Sequence, residues 1–200
     1  MVPSSDHVMT EQLAWVQWWA FPLKSSHEDW KSLHPEIDLT LRIGASAPNK
    51  LMGIVPCLPP PPHHTVYRLA LASTEQLDLA LALIQNIVNL GTAHSLSEDH
   101  HLWCTRLSKA LSPDILPTGD DPLQLLRAWV EPTIWQRIRL RFPCTRVLEI
   151  EKKAPLVENT HSRIATLWQA VVWRVTSMKN HDTVHDSHGQ EFNDALPAQN

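Results

Sequence analysis

Residues 124–143 read QLLRAWVEPTIWQRIRLRFP, and the fold turns on how this stretch is read. It carries four arginines (Arg127, Arg137, Arg139, Arg141) and two tryptophans (Trp129, Trp135) in twenty residues. Arginine interleaved with aromatics marks many nucleic-acid-binding faces. It also marks a pair of packed amphipathic helices. On a helix starting near Pro132, Arg137 and Arg141 lie one turn apart, whereas Arg139 points roughly 200° away from Arg137. Trp135, Ile138 and Phe142 form the apolar side. The cations make no continuous stripe. Arginine also suits the C-terminal end of a helix and covers apolar surface with its stem. The structural reading is favoured, with an acidic protein partner as a further use of the arginines.

Composition supports that balance. The chain has 200 residues, of which 43% are hydrophobic and 19% charged, so it can bury a core. A formal net charge of −4 offers phosphate backbones no general attraction. Three scattered cysteines (Cys57, Cys104, Cys144) without a Cys-x-x-Cys pair argue against a disulfide framework and fit a reducing compartment. The first apolar segment, LAWVQWWAFPL, lacks a basic flank, so no secretory signal is read there. No stretch reaches the roughly 18 apolar residues of a membrane span. The expectation is a soluble intracellular protein. Nine tryptophans against one tyrosine exceed what such a core needs, so some are expected to meet a partner.

Working outward, five segments carry helical periodicity with punctuation. The first runs from near Thr10 to Pro22, with Leu13, Val16, Trp19 and Phe21 as its stripe. The second, STEQLDLALALIQNIVNLG, opens on a Ser73–Gln76 capping box and closes at Gly91; its wide apolar face places it centrally. A third opens at Ser97 and presents Trp103, Leu107 and Leu111. The fourth opens at Asp121, with Pro122 at the first helical position and Gln124 closing a second capping box; its continuation presents Ile134, Trp135, Ile138 and Phe142 up to Pro143. The last, THSRIATLWQAVVWRV, sets Ile164, Leu167, Trp168, Val171, Val172 and Val175 three and four apart.

Alternation at 36–44, and more weakly at 145–151, reads as two strands that would pair as a small accessory hairpin or be helical instead. The expected fold is mainly α: a single irregular helical domain over 1–178, with a proline-rich loop at 56–64 as a hinge. A disordered His-rich tail follows over 179–200.

Chemistry finds little support. His181, His185 and His188 are spaced for one helix face, but a polar tail gives a metal ion no rigid scaffold. The adjacent pairs His63–His64 and His100–His101 point apart and chelate poorly alone. No nucleophile elbow, catalytic-cysteine setting or phosphate loop is present, and five glycines leave little to build one from. No catalytic, cofactor or metal residues are assigned.

Two segments together carry a resemblance. YRLALASTEQLDLALALIQNIVNLG, followed after a gap by LSPDILPTGDDPLQLLRAWVEPTIWQRIRLRFP, resembles the SctK family of type III secretion systems, which includes the proteins called HrpD and OrgA. The likeness lies in the Leu/Ala-rich central helix, the Leu-Leu-Arg-Ala-Trp element and the aromatic-Gln-Arg-x-Arg-Leu-Arg-Phe-Pro run, and covers residues 66–143. It implies a helical, non-enzymatic adaptor in the cytoplasm, peripheral to the inner membrane. Such an adaptor links the inner-membrane ring protein SctD to the pod protein SctQ of the sorting platform, with neither nucleic acid nor a membrane span involved. Trp129, Trp135, Arg137 and Arg141 are the expected partner-binding residues, with Trp18 and Trp30 beside them, because aromatics and arginine dominate interface hot spots. Core packing competes for each tryptophan. A metal-binding protein or metal-dependent hydrolase using the histidines, and a nucleic-acid-binding regulator using the Arg/Trp helix, are the alternatives.

Overall fold

The computed structural model describes residues 5–33, 49–50, 52–89, 96–111, 121–154, 156 and 161–177. The fold is mainly α, and no strand occurs among these residues. The elements are α1 (Ser5–Ala20), a 3-10 turn (Pro22–Ser25), α2 (Glu28–Leu33), α3 (His64–Leu71), α4 (Thr74–Val88) and α5 (Glu98–Ala110). They continue with α6 (Leu123–Trp129), α7 (Pro132–Ile138), a second 3-10 turn (Arg139–Arg141), α8 (Cys144–Glu151) and α9 (His161–Ser177).

The last helix organises the core. Its buried side chains are Ile164, Leu167, Trp168, Val171, Val172 and Val175, the six that the spacing selects. It packs against α3, α4 and α6, while α5 lies on α4 and α8 on α6. Trp168 is fully enclosed and stacks on Trp129, with centroids 6.0 Å apart and ring planes at 6°. α4 begins with the expected capping box: the Ser73 hydroxyl accepts from the Gln76 N–H, and the Gln76 side chain accepts from the Ser73 N–H at 2.9 Å. Each partner satisfies a backbone donor of the first turn that no helical carbonyl reaches. Ser97 caps α5 in the same way, accepting from the N–H of His100.

Several expectations change. Segment 145–151 is helical, within α8, because Cys144, Val147 and Ile150 recur every third residue and bury one face. The other candidate strand, 36–44, lies outside the described residues, as do Gly91, the 179–200 tail and its three spaced histidines. At α6 the Asp121 carboxylate accepts from the Leu123 N–H at 2.8 Å, but the reciprocal bond, from the Asp121 N–H to the Gln124 side chain, is absent among the described residues. Asp121 is instead held by Arg146 through two bonds of 2.6 and 2.8 Å.

The first helix starts earlier than expected, and its stripe is displaced. Trp15, Trp18 and Trp19 are buried, whereas Leu13, Val16 and Phe21 stay exposed. The three indoles form one cluster, with centroids 5.1 to 6.3 Å apart. Trp15 and Trp19 donate from Nε1 to the carbonyls of Pro60 and Cys57, both at 2.9 Å, and so fasten the proline-rich segment against α1.

Candidate functional site: the arginine-rich stretch and the outward face of α1

The arginines of residues 124–143 are turned inward to the ends of other elements. Arg127 donates to the carbonyls of Ile150 (2.7 Å) and Lys153 (3.1 Å), at the C-terminus of α8. Arg141 donates to the carbonyls of Ala70 and Ala72, at the C-terminus of α3. Arg137 donates from Nε to the carbonyl of Trp19, at the C-terminus of α1. Each of these helix ends carries unpaired carbonyls and the negative end of the helix dipole, which a guanidinium satisfies together.

Arg137 is the most enclosed of the four, with 3% of its surface exposed. Its other donors go to the carbonyls of Thr133 (2.9 Å) and Val55 (3.3 Å), and the guanidinium carbon lies 3.8 Å from the centroid of the Trp19 ring. Burial pulls its pKa below the ordinary guanidinium value, with Cys57 acting in the opposite direction. Burial does the same to Arg141. Arginine remains charged nonetheless, so both stay cationic inside their carbonyl cages.

Arg139 completes the set. It grips both carboxylate oxygens of Glu151 at 2.8 Å and donates to the Met52 carbonyl. That carbonyl is presented by a turn in which Gly53 adopts φ +65°, a left-handed conformation that glycine enters without steric cost. Glu151 also accepts from Trp135 Nε1 at 2.8 Å. Two further bonds bring the N-terminal segment onto the stretch, from Trp30 Nε1 to the Phe142 carbonyl (2.9 Å) and from the His27 N–H to the Leu140 carbonyl (2.7 Å).

The six residues expected at a partner interface therefore sit within the fold. Trp18, Trp30, Trp129, Trp135 and Arg137 are buried, and Arg141 is partly buried with its guanidinium bound to α3. Two of them border grooves that open to solvent. Trp135 walls an apolar groove of about 300 Å³ with Ala128, Val130, Pro132 and Leu156. Trp18 walls another, of about 370 Å³, with Ala14, Phe21 and Leu71.

What remains on the surface was not singled out from the sequence as a contact region. On α1, Met9, Leu13 and Val16 are 68%, 58% and 46% exposed. Their spacing of four and then three aligns them on one side of the helix, away from the buried tryptophans. The signal was present: Trp15, Trp18 and Trp19 form a second helical stripe, and indoles bury more area than leucine or valine. Other apolar side chains are exposed singly, among them Leu58 in the proline-rich segment and Trp173 of α9, which is 60% exposed. Trp173 lies five residues after Trp168 and falls outside the six-residue core stripe.

Among the described residues, no group of three or more His, Cys, Asp or Glu gathers as a metal-binding set. No helix among them is long and apolar enough to cross a membrane. No protein-family model, curated protein or solved structure matches the chain.

Proposed function

We propose that this chain is a non-enzymatic adaptor of a bacterial type III secretion sorting platform, joining the inner-membrane ring protein SctD to the pod protein SctQ on the cytoplasmic side. The resemblance of residues 66–143 to the SctK family supports the class of function. The observation that carries a docking role is the Met9–Leu13–Val16 stripe, an apolar row left in water on a helix whose opposite face is already buried. A helix apolar on both faces calls for a second packing partner. A seam with this four-three spacing suits a partner helix laid alongside it.

The arginine-rich stretch supports the same reading in a different way. Its cations are spent on helix ends of their own chain, which ties α1, α3, α8 and the 52–57 segment to one rigid element. A scaffold that spans two partners needs such internal ties more than it needs a reactive cleft.

Co-purification tests the proposal. The full-length chain is mixed with the cytoplasmic part of SctD and with SctQ at micromolar concentration. Capture of both is expected. Capture of neither counts against the platform assignment.

A further inference from the structure

The proline-rich segment that leads into α3 carries an interaction surface of its own. Residues 58–62 read Leu-Pro-Pro-Pro-Pro. Proline fixes φ at about −65°, and a residue followed by proline is held extended, which covers Leu58 through Pro61. No cis peptide bond occurs among the described residues, and residues 54–63 belong to neither helix nor strand. The sequence thus imposes polyproline II, a left-handed helix of about three residues per turn with no hydrogen bonds inside it.

Two edges of this helix have different fates. The carbonyls of Cys57 and Pro60, three residues apart and so one turn, accept from the indoles of Trp19 and Trp15, both at 2.9 Å. Further bonds fix the approach: the Val55 N–H donates to the Gln136 side chain at 3.0 Å, and Arg137 donates to the Val55 carbonyl. Leu58 and Pro61, also one turn apart, stand exposed. At 89%, Leu58 is the most exposed large apolar side chain among the described residues. Leu58, Pro59, Pro61 and Pro62 make no hydrogen bond among the described residues. The prolines have no N–H, so what they offer a partner is ring surface and carbonyl acceptors. No side chain from residue 53 to residue 62 is charged.

We propose that the Leu58–Pro61 edge docks into an aromatic-lined groove of another protein, whose indole or phenol groups donate to the free carbonyls while Leu58 fills an apolar pocket beside them. The molecule already contains this chemistry, because α1 grips the other edge through indole N–H groups on carbonyls one turn apart. The uncharged segment argues against a nucleic acid or an anionic lipid surface, both of which are held through cations. A partner helix suits it poorly too, since the N–H groups of a helix are bonded internally and leave no donors for these carbonyls. The prolines and the ties from α1 and α7 hold the segment in its bound form beforehand, which lowers the ordering cost of association. The proposal does not rest on the platform assignment, so loss of SctD or SctQ capture leaves its test unaffected.

The test uses an EVH1 domain, which has an aromatic-lined groove for polyproline II segments, as the probe. The ¹⁵N-labelled domain is titrated in reducing buffer with the unlabelled full chain and, separately, with a blocked peptide of residues 57–63. The full chain is expected to shift the groove's aromatic residues in a saturable manner and to bind at least as tightly as the peptide. Leu58→Gln with Pro61→Ala, at an unchanged urea midpoint, should weaken binding at least about tenfold, as truncation of interface anchors does. Leu13→Gln with Val16→Gln should leave binding unchanged, which separates this edge from the outward face of α1. The comparison of chain with peptide needs no variant, so it decides even where a substitution perturbs folding. No saturable shift with the full chain, binding of the peptide alone, or undiminished binding by the folded Leu58/Pro61 variant would each overturn the proposal.

Discussion

α1 and α9 are helices of 16 and 17 residues, both rich in tryptophan, and they follow opposite rules. α9 has one apolar stripe and buries all six of its members. α1 has two: it buries Trp15, Trp18 and Trp19 and leaves Met9, Leu13 and Val16 in water. Helical spacing identifies which residues share a face. It does not rank two faces that are both apolar. The ranking here follows area first, because indoles cover more surface, and the N–H groups of Trp15 and Trp19 add bonds to the carbonyls of Pro60 and Cys57, whereas the Trp18 N–H is buried without a partner among the described residues. A face left over after that choice is available to a partner.

The largest effect should come from the core of α9. Trp168→Ala removes a fully enclosed ring and its stack on Trp129, and is expected to cost about 3–5 kcal/mol in urea unfolding. A loss below about 1 kcal/mol would mean that α9 does not centre the core. Next comes the tie between the two regions. Arg137→Met keeps most of the stem but leaves the carbonyls of Trp19, Thr133 and Val55 without their donor, at an expected cost of roughly 3 kcal/mol. If the variant unfolds at the wild-type midpoint, the arginine is not holding α1.

Surface substitutions on α1 should do far less to stability. Leu13→Gln with Val16→Gln is expected to stay within about 0.5 kcal/mol of wild type, as exposed positions do. A cost near that of Trp168→Ala would show that this face is packed after all. The smallest expected effect is a pH dependence at the start of α5. Burial, and then Arg174, lower the His100 pKa below 6.5, against the opposing influence of Asp99. The unfolded chain therefore binds a proton that the folded chain refuses in the window from 6.5 down to that lowered value. Stability from this group is complete above the window and lost as pH falls through it. The unfolding midpoint of wild type should drop more than that of His100→Gln between pH about 7.5 and about 5.5. Parallel drops would remove His100 as a cause.

Legibility in the sequence followed the same division. Signals held within a few residues were readable: the Ser73–Gln76 box, the Ser97 cap, and the stop at Pro143. So was the single stripe of α9. Signals that depend on distant partners were not. The 145–151 pattern fits a weak strand or a helix, and the helix α8 that forms has its C-terminal carbonyls held by Arg127 from a separate helix. The Asp121 capping box gave way to an ion pair with Arg146, 25 positions on. The inward orientation of the arginines was favoured by their angular scatter. Their acceptors, up to 118 residues away, have no local trace. The partner residues proposed from residue type fell in the interior because tryptophan and arginine serve cores and interfaces with the same chemistry.

The claim that α1 buries one apolar face and offers the other to a partner is tested most directly by the variant Leu13→Glu with Val16→Glu, compared with wild type for capture of SctD and SctQ at equal folded concentration. Retained urea midpoint with loss of at least one partner is the predicted result. Full capture of both partners by the folded variant would contradict it.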